Sequence, residues 1–286
     1  MCSKDIWWVI ALAVAMLQLA GCAVISPPKR RYTIYPDSLR QTIDFEIDSL
    51  PGQVFKIVIP EIITDEQETL IPWSQDVESW DIGPAHAAWR CERPGIIRQT
   101  STVLFGDEVI EARVEITNLS NRIWHLATAF TCFAFYGAPL FDNPELDRMM
   151  FPVEGRWRSV ADLFAERSPG DGPYTFFPVK DGPRIRDMLV VRLVKQTHPQ
   201  VVSFGAGCVV SRDGKWVAGM SSSRPAYVFC NRRERCVHAN PVFDDVAPAQ
   251  TASASSYIHI MRGGVDDFAK ASGIAVHKAG TPIRQR

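Results

Sequence analysis

The sequence has no strong charge imbalance, and it lacks several motifs that would identify an enzyme class. Its 31 Lys and Arg residues are balanced by 32 Asp and Glu residues. This excludes the broad basic surface that nucleic-acid binding requires. No G-x-S-x-G esterase motif is present, and the "GAG" at 205–207 lacks the Lys-Ser/Thr of a phosphate-binding loop. After residue 19, no apolar run reaches the length of a membrane span.

The first residues carry an apolar run, "IWWVIALAVAMLQL" at 6–19, which follows Lys4. As a helix this run spans roughly 21 Å, which is shorter than the ~30 Å hydrocarbon core and typical of a signal peptide. The run leads into Leu19-Ala20-Gly21-Cys22. This tetrapeptide resembles the lipobox of bacterial lipoproteins, in which the cysteine is lipidated and becomes the first residue of the mature chain. The alternative is an uncleaved membrane anchor.

The lipobox resemblance implies a division of the chain and a location. Residues 1–21 would be a signal peptide, 22–31 a lipidated tether and 32–286 a single folded domain. The membrane would be a partner through the lipid on Cys22, and the protein would be exported and anchored at the cell envelope. Ala23, in place of the Asp that retains some lipoproteins in the inner membrane, favours the outer membrane or the surface.

Alternation of apolar and polar residues is the strongest pattern in the chain, and it predicts β-strands. In residues 108–117 the apolar side chains of Ile110, Ala112, Val114 and Ile116 alternate with polar ones. Further predicted strands are at 42–47, 54–60, 96–105, 122–136, 187–196, 200–211, 215–223 and 253–262, with a two-residue hairpin at 106–107 and another turn at 212–214. Helix signals are few, at 159–167 and 265–272. The predicted fold is mainly β: an antiparallel β-sandwich with one or two short helices.

One long segment, residues 137–183, interrupts the strand pattern with glycines, prolines and aromatics. We predict a loop-rich insertion. Long aromatic-rich connections on a rigid β scaffold often carry binding sites. The alternative is an insertion that covers one edge of the sandwich with its own aromatic side chains.

The cysteines that remain after Cys22 are Cys91, Cys132, Cys208, Cys230 and Cys236. Export permits disulfides, and an odd number leaves at least one thiol free. The segment "CNRRERCVHANP" at 230–241 has several interpretations. A Cys230–Cys236 disulfide is favoured. The alternatives are a zinc site formed by both sulfurs and His238, a nucleophilic Cys236 paired with His238, and a purely structural role.

A glycan-binding site needs flat aromatic faces for sugar C–H groups, and polar side chains for the hydroxyls. The candidate residues are Trp124, His125, Asp142, Arg148, Trp157, His238 and His259. For each histidine alone, the alternative is an ordinary surface or hydrogen-bonded side chain. We predict no cofactor; besides zinc, calcium at the acidic loops 142–147 or 244–245 is the remaining alternative.

Three segments of the mature chain resemble a family of uncharacterised exported bacterial β-sandwich proteins. They are "CFAFYGAPLFDNPELDRMMFP" at 132–152, "RDGKW" at 212–216 and "CVHANPVFDDVAP" at 236–248. The resemblance implies fold and export, and no activity. The leading hypothesis is a lipid-anchored envelope protein that binds or processes a glycan. The alternatives are a non-enzymatic envelope-assembly lipoprotein that binds another protein, and a metal-dependent enzyme that uses Cys236 and His238.

Overall fold

The computed structural model of the chain describes residues 30–37, 40–73, 77, 79–166, 174–194, 197–222, 224–231 and 233–273. The predicted signal peptide and the lipobox Cys22 lie outside the described residues. Within these ranges, none of the helices combines the length and the apolar character that a membrane crossing needs.

The described residues form nineteen strands, which in chain order are β1 (Tyr32–Pro36), β2 (Thr42–Ile47), β3 (Phe55–Val58), β4 (Ile63–Thr64), β5 (Thr69–Ile71), β6 (Asp81–Gly83), β7 (His86–Arg93), β8 (Ile97–Phe105), β9 (Ile110–Asn118), β10 (Thr128–Ala129), β11 (Cys132–Ala134), β12 (Met149–Val153), β13 (Arg156–Ser159), β14 (Tyr174–Pro178), β15 (Ala206–Val210), β16 (Trp216–Ser222), β17 (Pro225–Asn231), β18 (Cys236–Pro241) and β19 (Thr251–Arg262). The α-helices in the described ranges are α1 (Val160–Ala165), α2 (Leu189–Val194) and α3 (Val265–Ala271), and a 3-10 turn covers Ile185–Asp187.

Two large sheets, in which the named strands pair antiparallel, make up the architecture. The seven-stranded sheet has the order β1-β2-β3-β11-β18-β17-β14, and the nine-stranded sheet has the order β13-β12-β15-β16-β19-β9-β8-β7-β6. A small third sheet has the order β10-β4-β5. The predicted antiparallel β-sandwich is therefore confirmed.

The main core lies between the two large sheets. Phe45, Phe55 and Phe133 from the seven-stranded sheet are buried in one cluster with Val103 and Val114 from the nine-stranded sheet. In strand β9 all even-numbered residues are buried, and all odd-numbered residues are more exposed. Period-two alternation therefore places one face of each strand in the core and leaves the other face for solvent or for a further layer.

Several predicted elements are confirmed. A turn at 212–214 joins β15 to β16, and β19 covers the late strand. Helix α1 begins where the sequence indicates, because the Ser159 side chain accepts a hydrogen bond of 3.0 Å from the backbone N–H of Asp162. Helix α3 also lies in its predicted place.

Other predictions are corrected. The residues paired next to the first hairpin turn are Phe105 and Ile110, so the link contains four residues instead of two. The described part of segment 187–196 is not a strand: most of it forms α2, and Met188, Val190 and Val191 are buried together. The predicted strand 122–136 is broken into the short strands β10 and β11.

The predicted loop-rich insertion at 137–183 also contains more regular structure than expected. Its described residues include β12 and β13 of the nine-stranded sheet, α1, and β14 of the seven-stranded sheet. Its aromatic residues Phe141, Phe151 and Phe177 are buried in the main core. The segment therefore contributes to both layers of the sandwich, and most of its aromatic surface is unavailable to a ligand.

A second apolar cluster lies on the outer face of the seven-stranded sheet. Phe176, Tyr227 and Phe229 from β14 and β17 pack there with Phe130 and with residues of α2. The cluster covers only part of this face, and the uncovered part forms a groove.

Candidate functional site

The groove on the outer face of the seven-stranded sheet has a volume of about 620 Å³. That volume falls within the ~300–1,000 Å³ that is usual for small-ligand sites. The residues that line it include aromatic, basic, acidic and amide side chains: Arg40, Lys56, Glu61, Trp73, Cys132, Tyr136, Tyr174, Phe229, Asn231 and Glu234.

Aromatic rings provide much of the apolar surface of the groove. Trp73 is 45% exposed and Tyr136 is 44% exposed, so part of each side chain is open to a ligand in the groove. The rings of Tyr174 and Phe229 are nearly parallel, with centroids 6.2 Å apart. The Lys56 ammonium lies 5.5 Å from the centre of the Tyr136 ring and 3.0 Å from a carboxylate oxygen of Asp44. The groove therefore offers ring faces beside charged donors and acceptors.

Glu61 is fixed by its backbone at the point where the chain leaves β3. Its N–H donates a 2.7 Å hydrogen bond to the carbonyl of Phe130, and its carbonyl accepts one of 2.9 Å from the Gln41 amide. Partial burial and the negative charge of Glu234 raise the pKa of the Glu61 carboxyl to about 7, and a hydrogen bond with Trp73 opposes this rise. The carboxyl group faces the groove with 28% of its side chain exposed.

Two thiols and an imidazole form a buried cluster beside Glu61. Strand β11 pairs with β18 so that Phe133 lies opposite Val237, which places Cys132 opposite His238 on the outer face. Cys236 shares that face because it is two residues from His238 in a strand. Its Sγ atom lies 3.1 Å from Nε2 of His238, and the donor atoms of all three residues lie within 4.8 Å of one another.

Burial keeps the imidazole and the Cys236 thiol uncharged. Desolvation lowers the pKa of His238 to about 3 and raises the pKa of the Cys236 thiol well above its usual value. Phe130 and Phe229 present ring edges to the imidazole, with centroids 5.6 Å and 4.9 Å away. The contact between Cys236 and His238 expected from the sequence is therefore present, but as a neutral pair instead of a thiolate–imidazolium pair.

The structure corrects the predicted Cys230–Cys236 disulfide. Cys230 lies opposite Val237 in the β17–β18 register, so it faces the main core, where its thiol lies 3.8 Å from the sulfur of Met149. Cys236 is on the opposite face of the sheet, and no disulfide joins the two cysteines. The same geometry removes Cys230 from the predicted zinc ligands and puts Cys132 in its place.

Trp124 and His125 do not lie together at a site. The Trp124 side chain is fully buried in the main core, which corrects its prediction as a sugar-binding surface. His125 points outwards and forms an ion pair with Asp245 at 3.0 Å. The two adjacent side chains therefore lie on opposite faces of the chain.

The remaining predicted binding residues take structural roles. Asp142 pairs with Arg235 at 2.6 Å, and Arg148 donates to the backbone carbonyls of Leu140, Asp142 and Val210. These contacts tie the start of the 137–183 segment to β15 and to the turn after β17.

Trp157 and His259 both pack against Phe268 of α3, with ring centroids 5.8 Å and 5.9 Å away. Neither residue lines the groove. Of the seven residues predicted from the sequence, only His238 therefore lies next to it.

The acidic loops considered for calcium have cationic partners in the structure. Asp244 contacts Arg224, Asp245 contacts His125 and Asp142 contacts Arg235. Across the described ranges, the group of three or more His, Cys, Asp and Glu side chains that is close enough to hold a metal ion is Cys132, Cys236 and His238.

Sequence reasoning missed Glu61, Trp73, Cys132 and Tyr136 as residues of the groove. One signal for two of them was available, because "CFAFY" at 132–136 alternates and places Cys132 and Tyr136 on one face if the strand is regular. No local pattern marks Glu61 or Trp73, which reach the groove from the ends of β3 and β5.

No protein-family model and no curated protein matches the sequence. Among solved structures, a galactose mutarotase-like protein from Lactobacillus casei is similar at 8% identity, with a TM-score of 0.44 over 83% of this chain and 99% of that chain. A putative aldose 1-epimerase from Escherichia coli is similar at 9% identity, with a TM-score of 0.41 over 81% of this chain and 99% of that chain. A galactose 1-epimerase from Lactobacillus acidophilus is similar at 10% identity, with a TM-score of 0.36 over 82% of this chain and 99% of that chain.

Proposed function

We propose that this protein binds a sugar unit of a glycan in the groove of the seven-stranded sheet. We further propose that it does so at the bacterial cell envelope, held there by lipid on Cys22. The observation that carries the first proposal is the presence of two half-exposed aromatic side chains, Trp73 and Tyr136, in one groove with charged and amide groups.

The aromatic surface suits the apolar faces of a sugar ring. Exposed indole and phenol rings are costly to hydrate, and they recover that free energy when a ligand covers them. A pyranose presents C–H groups on its faces, which contact such rings, and hydroxyl groups at its rim. Trp73 and Tyr136 would supply the faces, and the parallel rings of Tyr174 and Phe229 extend the same surface.

The polar side chains of the groove suit a neutral ligand with many hydroxyl groups. Arg40 and Lys56 are basic, while Asp37, Glu61 and Glu234 are acidic, so the groove has no excess of cationic groups. A phosphate or nucleotide site would show an excess of cationic groups. Hydroxyls both donate and accept, and this mixture of donors and acceptors, with the Asn231 amide, can satisfy them.

The test is a glycan array probed with the purified full-length protein, followed by calorimetry with the best-bound oligosaccharide. Tyr136→Ala should weaken binding about tenfold, the effect of losing one aromatic contact of about 1.4 kcal/mol. Trp73→Ala should weaken it at least as much. Tyr35→Ala is the matched control, because Tyr35 is 48% exposed and does not line the groove.

Two results would contradict the proposal. One is the absence of binding across the array by protein that remains folded, as judged by circular dichroism. The other is an equal loss of affinity in Tyr35→Ala and Tyr136→Ala, which would place the ligand outside the groove.

A further inference from the structure

We propose that Cys132, Cys236 and His238 bind a soft d10 metal ion, Zn(II) or Cu(I), at the wall of the groove. The proposal rests on the geometry of these three side chains and does not depend on sugar binding.

The sheet register brings the three donors to one point. Cys132 lies on β11, while Cys236 and His238 lie two residues apart on the adjacent strand β18, and all three face away from the main core. Their donor atoms lie within 4.8 Å of one another. Bonds of about 2.0–2.3 Å from one zinc ion would put its donors about 3.5–4 Å apart. The donors are therefore close to the spacing that a single ion requires.

Glu61 faces the side of the imidazole that is remote from the sulfurs. Its Oε2 atom lies 3.7 Å from Nδ1 of His238, while Nε2 lies beside Cys236. A carboxylate next to the outer nitrogen is the usual support for a metal-binding histidine, because it holds the proton on that nitrogen and leaves the other lone pair for the metal. We assign the proton to Nδ1, because the Cys236 thiol lies 3.1 Å from Nε2 and can donate to its lone pair. The Nδ1 atom is buried and forms no hydrogen bond with the described residues.

The donor set selects the class of ion. Two thiols and one imidazole without an oxygen ligand do not suit calcium or magnesium, which prefer oxygen. Sulfur donors select zinc and monovalent copper. Two thiolates balance the charge of Zn(II), which favours zinc in this apolar surrounding. Three protein ligands would leave a fourth coordination position open, as in catalytic zinc sites.

The binding step balances without a redox reaction. The ion forms two metal–sulfur bonds and one metal–nitrogen bond, the two S–H bonds break, and two protons leave to solvent. No electron is transferred when zinc is added as Zn(II) or copper as Cu(I).

The experiment uses detergent-solubilised full-length protein, purified under reductant and freed of metal with a chelator. Zn(II) alone, and Cu(I) alone under anaerobic ascorbate, are titrated against a chromogenic chelator, and bound metal is measured by mass spectrometry. One ion per chain is expected. Cys132→Ala and His238→Ala should lower the affinity at least 100-fold. Cys208→Ala is the matched control, since Cys208 is a buried thiol of β15 in a different cluster, and it should bind as wild type.

A measurement on the wild type alone keeps the proposal testable even if the variants fail to fold. Bound metal should protect Cys132 and Cys236 from alkylation under mild denaturation, as mapped by peptide mass spectrometry, and removal of the metal should abolish that protection. Binding of neither ion would overturn the proposal, as would a Cys132–Cys236 disulfide in place of the metal in protein isolated without reductant. Tyr136→Ala should bind metal normally, so a failure of sugar binding and a failure of metal binding would be distinguished.

Discussion

The Oε2 atom of Glu61 lies 3.7 Å from Nδ1 of His238, so one carboxyl group borders both the open groove and the buried thiol–imidazole cluster. The separation is too long for a hydrogen bond. Neither atom has a hydrogen-bond partner among the described residues. The imidazole is neutral, so the pair is held by backbone position and not by a hydrogen bond or an ion pair.

Glu61→Gln should weaken metal binding at the cluster about 10–100-fold. The amide keeps the size of the side chain but removes the negative charge that supports the imidazole, and loss of such a supporting carboxylate has this typical cost. The measurement is the chelator competition with Zn(II). Glu234→Gln is the control, because Glu234 lines the groove and forms no contact with His238 in the structure. An equal loss in both variants would show that only the general charge of the groove matters.

Removing the Phe133 ring should destabilise the whole sandwich. Phe133 is fully buried on the core face of β11, with the Phe55 ring 5.8 Å and the Phe135 ring 4.7 Å from its own. Phe133→Ala should lower the free energy of unfolding by about 3–5 kcal/mol, through lost transfer free energy and the cavity that remains. Urea unfolding followed by fluorescence measures it. Leu104→Ala, at a side chain 44% exposed, should change it by less than about 0.5 kcal/mol. A loss below about 1 kcal/mol in Phe133→Ala would mean that the core repacks around the gap.

The sequence was sufficient to predict those strands of the sandwich that have one solvent-exposed face and one buried face. Strand β9 is such a case, because its period of two is maintained over nine residues. The prediction failed for α2, whose apolar run "LVVRLV" has no polar alternation. A short apolar run fits a buried strand and a buried helix equally well, and only its packing against β14 and β17 decides between them.

The same limit applies to the site. The contact between Cys236 and His238 follows from strand geometry alone, since residues two apart share a face. The third member, Cys132, comes from a strand distant in sequence, and pairing between distant strands leaves no local signal. The pairing register of β17 and β18 also excludes the predicted disulfide, because Asn231, and not Cys230, lies opposite Cys236.

Cys22→Ser should abolish lipid attachment and leave an uncleaved precursor. The lipobox chemistry needs a thiol nucleophile, and cleavage in lipoproteins follows lipidation. Metabolic labelling with a radioactive fatty acid, together with the mass of the N-terminal peptide, measures both events. Cys2→Ser is the matched control, because it alters the other cysteine of the predicted signal-peptide region and should keep normal labelling. Normal labelling of Cys22→Ser would refute the lipid anchor and the location proposed from it.

The ion pair between His125 and Asp245 should make stability depend on pH in a defined direction. A hydrogen bond with Asp245, and that residue's negative charge, raise the pKa of His125 above its ordinary value of 6.5. Because the folded-state pKa exceeds the unfolded one, the pair adds stability that is fully present below about pH 6.5 and is lost as pH rises through the folded-state pKa. The loss of unfolding free energy in Asp245→Asn should therefore be larger at about pH 5.5 than at about pH 8.5.

NMR titration of the His125 imidazole should show a lower pKa in Asp245→Asn than in the wild type. The pKa should not change in Asp48→Asn, a control at an exposed carboxylate of another turn. An unchanged His125 pKa in Asp245→Asn would show that the ion pair does not persist in solution.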